Sequence, residues 1–245
     1  MSVTPLSKLP HFDPRLVPVI GIDAHLPRVA PERLAPQALV ERFARPPSWQ
    51  PELVLEKLFA DRAPAHAAVL VPLVMHGPQA SRPTVLLTER TAQLSTHSGQ
   101  IAFPGGKADE ADADAADTAL REAWEEVGLE AGHVQVIGML PTYTTGTAFI
   151  VTPVVALVQP GFALRPNPHE VADVFEVPLE FLMNPANHHR HVFEWEGYRR
   201  EWFSMPYYEP RPAAPGQTAA PQAVERFIWG ATAAMLRNFY RFLSA

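Results

Sequence analysis

Arg121 is followed by Glu122, Glu125 and Glu126, a spacing with a chemical consequence if the segment is helical. At about 100° per residue the three carboxylates fall within an arc of roughly 100° on one face. Carboxylates held that close cannot all ionise cheaply near neutral pH without a counter-charge. A divalent cation is the natural partner, and hard oxygen donors in a chain without cysteine select Mg²⁺ or Mn²⁺ over zinc. Because Mg²⁺ is normally held by a few carboxylates together with substrate phosphate oxygens, the pattern anticipates a phosphorylated substrate. The plainer reading is a solvated acidic helix face, which is what most Glu runs are.

A helix that presents acids must pack elsewhere, and Ala116, Leu120, Ala123, Trp124 and Val127 supply an apolar arc that predicts a core on the other side. Gly128 stands where a left-handed C-cap is expected. The loop Phe103-Pro104-Gly105-Gly106-Lys107 leads in. Together with that loop, Arg121-Glu122-Ala123-Trp124-Glu125-Glu126-Val127-Gly128-Leu129 resembles the Nudix box, the signature of the Nudix hydrolase superfamily. The usual box runs Gly, five residues, Glu, seven residues, then Arg-Glu-aliphatic-any-Glu-Glu-any-Gly-aliphatic. Here five residues after Gly106 lead to Asp112, and eight then precede Arg121. Asp112 or Asp114 is left to fill the early acidic position. Upstream, Leu86-Leu87-Thr88-Glu89-Arg90 and Gly99-Gln100-Ile101-Ala102-Phe103-Pro104-Gly105-Gly106 resemble the additional motif of the coenzyme A diphosphatase branch, which tolerates the same insertion. That branch has an arginine four residues before Gly99, where this chain has Ser95; His97, Arg90 and Lys107 are the alternatives for holding a 3′-phosphate.

The resemblance implies an α/β (α+β) fold, the Nudix α/β/α sandwich around a mixed β-sheet. It implies metal ligation by Glu122, Glu125 and Glu126, helped by the backbone carbonyl near Gly106, with Arg121 orienting the glutamates by bidentate pairing. The implied reaction is metal-dependent cleavage of a diphosphate bond, in coenzyme A or acyl-CoA, giving 4′-phosphopantetheine or its acyl form and adenosine 3′,5′-bisphosphate. The proton acceptor is Glu122 or Glu170, the latter in Asn167-Pro168-His169-Glu170-Val171, a carboxylate that also reads as a surface turn. Lys107 reads as a phosphate contact or as a solvated loop lysine. The alternatives are another Nudix substrate, such as NADH, ADP-ribose or a dinucleoside polyphosphate, and a non-catalytic nucleotide sensor, against which the intact acids argue. Relatives of this branch often pair, so a homodimer is an expectation.

The chain has 245 residues, 47% of them hydrophobic, enough for one sizeable core. A net charge of −6 excludes nonspecific nucleic-acid binding, which needs a basic surface. No apolar run is long enough to span a membrane and no signal-like start is present. With the lack of cysteine, this predicts a cytoplasmic protein. Residues 1–60 read as a proline-punctuated N-terminal arm with one helix over Gln37–Ala44, and 61–245 as the hydrolase domain. Within it, strands are expected over Ala67–Val74, Thr84–Thr88, Val134–Leu140, Phe149–Val158 and Glu170–Val177. A short helix is expected from Pro178 to Met183, then a hairpin of His191–Trp195 and Tyr198–Phe203, and a helix over Ala231–Leu243. Glu209–Pro221, rich in Pro and Ala, reads as a mobile loop. Asn187–His191 reads as a polar turn, and Trp195, Trp202, Tyr207, Tyr208, Phe227 and Trp229 as core or interface aromatics rather than an adenine platform.

Overall fold

A computed structural model of the chain describes residues 12–52, 63–76, 82–92, 99–195, 198–210 and 223–245. In chain order its elements are β1 (Val19–Ile22), α1 (Pro36–Ala44), β2 (Ala65–Val74), β3 (Thr84–Arg90), β4 (Ile101–Ala102), β5 (Gly105–Lys107), α2 (Ala115–Val127) and β6 (Val134–Met139). β7 (Tyr143–Thr144), β8 (Phe149–Val158), β9 (Val171–Pro178), α3 (Leu179–Leu182), β10 (His189–Trp195), β11 (Tyr198–Pro210), β12 (Ala223–Trp229) and α4 (Gly230–Ser244) follow.

The two longest apolar runs become the centre. β2 and β8 lie side by side in parallel, from Ala65 opposite Phe149 to Val74 opposite Val158. Around them an eight-stranded sheet runs β4-β3-β2-β8-β6, with β5 joined to β2, β7 to β8 and β9 to β3. These other pairings are antiparallel, so the sheet is mixed. The near-continuous apolarity of β2 and β8 follows from burial on both faces. Ala68, Leu70 and Val74, with Val154, Ala156 and Val158, form a core with Ala119, Ala123 and Val127 of α2. Ala67, Val71 and Leu73, with Val155 and Leu157, belong to the other core, built with Leu236, Phe239, Tyr240 and Leu243 of α4 and Leu39 of α1. Helices on both sides of one mixed sheet make the expected sandwich.

A second sheet, β1-β10-β11-β12, joins this body. Buried Arg226 of β12 stitches it on: its guanidinium donates to Glu89 of β3 at 2.8 Å and also to Asp173 of β9 and Glu209 of β11. The same group lies 4.1 Å from the centre of the Phe175 ring. A charge so buried is tolerable because its guanidinium meets three carboxylates and a ring face.

The N-terminal arm is fastened by charge as well as by a strand. β1 pairs antiparallel with β10, and buried Asp23 accepts from Arg190 at 2.8 Å through both of its oxygens. Arg237 of α4, itself buried, reaches Asp23 at 2.9 Å and Glu52 at 2.7 Å. His188 completes the cluster, with Nε2 on the Leu182 carbonyl and Nδ1 beside Arg237. Burial pushes this imidazole down to about 4, so it stays neutral.

Asn187–His191 is therefore no polar turn. His188 and His191 are both buried, the latter bonded to Ser204 and the Val17 carbonyl and stacked on Trp202. Glu209 and Pro210 close β11 instead of opening a loop; 211–222 lie outside the described residues, as does the turn at 196–197. β1 and β12 are strands that the apolar pattern does not announce. Trp124 is 51% exposed and is not part of the core. Among the described residues no helix is long and apolar enough to cross a membrane.

Candidate active site

The loop before α2 and the helix itself are fitted to each other by two glycines. β5 pairs with β2, Gly105 opposite Val69 and Gly106 opposite Ala68. A Cβ on Gly105 would collide with the backbone of Ala68 and Val69, and one on Gly106 would stand 2.5 Å from the Glu122 carboxylate. The loop backbone thus lies directly against an acid of the helix, an approach open only to glycine. Gly106→Ala is expected to fold yet lose activity by a factor on the order of 10², since a shift of about 1 Å in a reacting group costs that much. Circular dichroism and turnover measured together check this; normal turnover would contradict the close fit.

α2 starts at Asp114, whose side chain accepts from the N–H groups of Ala116 at 2.7 Å and Asp117 at 3.0 Å. It ends at Gly128, with φ at 70°. Asp114 is therefore the cap. Asp112 instead takes a bidentate pair from Arg121, both contacts 2.9 Å. The hydrogen bonds from Arg121 hold the Asp112 carboxyl well below the usual carboxylate range, and the same bonds raise the arginine. Arg121 Nη1 then reaches Glu122 at 2.9 Å and Glu125 at 3.1 Å, and Nη2 donates to the Lys107 carbonyl at 3.1 Å. The bidentate partner is Asp112, not the glutamate cluster; the glutamates receive single bonds from the remaining edge.

Glu126 departs most from the amphipathic picture. It is 3% exposed, turned toward the sheet one heptad after buried Ala119, so the acidic arc overlaps the packed face instead of opposing it. Its Oε2 accepts from the Gly105 N–H at 3.2 Å and its Oε1 faces Arg90 at 3.5 Å. Burial pushes its pKa up to about 7 despite both contacts. Burial raises Glu122 as well, against the pull of Arg121. Glu170 lies near enough for its charge to raise both.

The last turn of α2 explains how Glu170 gets there. The helix leaves its final carbonyls without internal donors, and the following loop supplies them: Arg165 N–H to Val127 at 2.8 Å and Asn167 N–H to Glu126 at 2.8 Å. Glu170 is thus carried to the acids by a segment anchored on one of them.

The structure brings together Arg121, Glu122, Glu125, Glu126, Gly106, Arg90 and Glu170. Glu125 is the exposed member, and the Lys107 side chain also faces solvent. His97 and Ser95 fall in 93–98, outside the described residues. Among the described residues no three Asp, Glu, His or Cys side chains converge closely enough to form a metal shell as they stand; Arg121 holds Glu122 and Glu125 in its place. The donors nevertheless suit a hard dication. A buried carboxylate with its pKa near 7 and two neighbouring acids are what such an ion stabilises.

Comparisons with known proteins bear on the family of the chain. A family model described as NUDIX domain matches residues 64–217. A Pectobacterium atrosepticum protein named Nudix hydrolase NudL, described as uncharacterized, is 39% identical over 70% of this chain and 79% of its own length. Its Photorhabdus laumondii namesake is 47% identical over 51% of this chain and 64% of its own length. Among solved structures, a MutT/nudix family protein from Enterococcus faecalis aligns with a TM-score of 0.44 at 19% identity, over 76% of this chain and 64% of that one. With the domain model covering more than half of its residues, the chain belongs to the Nudix family of hydrolases, enzymes that cleave diphosphate bonds and generally need a divalent metal ion.

Proposed function

We propose that this site hydrolyses the diphosphate bond of coenzyme A or an acyl-CoA, releasing 4′-phosphopantetheine or its acyl form and adenosine 3′,5′-bisphosphate, with Mg²⁺ or Mn²⁺ as cofactor. The observation that carries the reading is that the upstream motif and the acidic helix share one wall. Arg90, at the end of β3, exchanges backbone hydrogen bonds with Gln100 and Gly99 at 3.0 and 3.1 Å. The same arginine points its side chain at Glu126. The residues that mark the coenzyme A branch are therefore neighbours of the acids and not a separate feature.

Glu122, Glu125 and Glu126, with the Gly106 carbonyl, hold the cation. When bound, it neutralises phosphate charge and polarises water for attack. Arg121 holds Glu122 and Glu125 in place and is itself fixed by Asp112, which takes the other half of its guanidinium. Arg90, Lys107 and His97 receive substrate phosphates. Glu122 is already engaged by Arg121, so Glu170 is the base: it takes a proton from water as the water oxygen bonds to phosphorus and the bridging P–O bond breaks toward the leaving phosphate. The substrate is a metabolite of the cell interior, in keeping with a cytoplasmic protein.

Incubation of purified protein with coenzyme A and Mn²⁺ is expected to yield adenosine 3′,5′-bisphosphate, read by chromatography. No product from coenzyme A, with NADH, ADP-ribose or a dinucleoside polyphosphate turned over instead, would reassign the substrate.

A further inference from the structure

We propose that Asn167 is a positioning residue for water activation, acting through the Glu170 carboxylate; the inference rests on Glu170 being the base. A glutamate side chain turns about three bonds, so a base at the tip of a surface turn needs something to aim it. Asn167 is built for that. Its backbone N–H is bonded to the Glu126 carbonyl at 2.8 Å, and its own carbonyl accepts from the N–H groups of Glu170 at 3.0 Å and Val171 at 2.8 Å. Its Oδ1 accepts from the His169 N–H at 3.1 Å, which fixes which way the amide faces. The NH₂ group is left to donate to Glu170 Oε1 at 3.3 Å.

Pro168 stiffens the arrangement, since a residue before proline is held in extended conformations. Thr91 closes the other side, its N–H on the Glu170 carbonyl at 3.0 Å and its hydroxyl on the His169 carbonyl at 3.4 Å. One short turn thus fixes two things at once. Its backbone registers it against the helix residue Glu126, and its amide sets the rotation of the Glu170 carboxylate relative to that helix. A carboxylate aimed this way meets water in a near-attack position instead of sampling many.

Asn167→Asp separates these roles. Aspartate keeps an oxygen for the His169 N–H, so the turn survives, but it removes the donor and places a like charge beside Glu170. Steady-state kinetics with Mn²⁺ and coenzyme A, or with ADP-ribose if coenzyme A is not turned over, are expected to show kcat about ten- to hundredfold lower. KM is expected to stay within about twofold and the melting temperature to be unchanged, as for a group that acts on the reacting water and not on binding. In a Glu170→Gln background the same substitution is expected to cost nothing further, because two residues acting as one unit are not additive. Asn167→Ala, which loses the turn acceptor as well, is expected to show the same kcat loss with a lower melting temperature. A full multiplicative loss in the Glu170→Gln background, or wild-type kcat in Asn167→Asp while Glu170→Gln is impaired, would overturn the positioning role alone. Wild-type kcat in Glu170→Gln would overturn it together with the assignment of the base.

Discussion

Glu126→Gln is expected to lower turnover by a factor on the order of a hundred or more while making the metal-free protein more stable at pH 8. The first half follows from the loss of a charged ligand to the activating cation. The second follows from burial. The native carboxyl titrates at about 7, above its ordinary 4.5, so the metal-free protein keeps this group's full contribution to stability below about pH 4.5. That contribution is lost as the pH rises through 7. Glutamine removes the ionisation and still accepts from the Gly105 N–H, so the difference is expected to grow between pH 5 and 8 to about 1–3 kcal/mol and then level off. Saturating Mn²⁺ is expected to reverse the order at pH 8, because it binds the folded wild type more tightly than the variant, which lacks one charged ligand. For the same reason metal affinity is expected to rise with pH up to about 7, each binding event releasing a proton. Thermal melts across that pH range, with and without Mn²⁺, check all three points. A variant with wild-type turnover, or a stability gap with no pH dependence, would contradict the assigned role.

Arg121→Lys is the second large effect, although the charge is conserved. Arg121 spreads its guanidinium over Asp112, Glu122, Glu125 and the Lys107 carbonyl. An ammonium is a point charge on a flexible stem and cannot serve a bidentate partner and two further acids together. Asp112 is expected to win it, leaving Glu122 and Glu125 to drift apart. kcat/KM is expected to fall by about 10²–10³, comparable to losing a transition-state donor, with weaker Mn²⁺ binding by calorimetry. Stability is expected to drop by about 1–3 kcal/mol, the scale of charge-assisted hydrogen bonds. Wild-type Mn²⁺ affinity in this variant would show that Arg121 does not organise the acids.

The parts of the fold that are legible in the sequence are those whose neighbours lie close by or whose burial is uniform. β2 and β8 read as strands because both faces are covered, and α2 because its cap, its apolar positions and Gly128 are all local. β1 is short and exposes most of its residues, so no alternation marks it. β12 carries Glu225 and Arg226 in mid-strand, and what makes Arg226 tolerable there are Glu89 and Asp173, far away in the chain. His188 and His191 mislead in the same way, as polar residues whose partners come from distant elements. At the site, the acids and Arg121 stand out by spacing. The inward turn of Glu126 does not, because a helical wheel assigns carboxylates to solvent and the Gly105 N–H that donates to this one is supplied by a separate element, β5. The same limit hides Asn167, whose significance is visible only once the end of α2 and the turn beyond it are seen to share hydrogen bonds.

The lock between Asp23, Glu52 and Arg237 sets an order on how the chain can assemble. During synthesis the two carboxylates of the arm can meet Arg190 first, and their buried partner arrives only when residue 237 has left the ribosome. Loop closure over so much polypeptide is slow. The face that α4 will cover is therefore open until the last part of the chain emerges, and that interval is when a chaperone would find this protein.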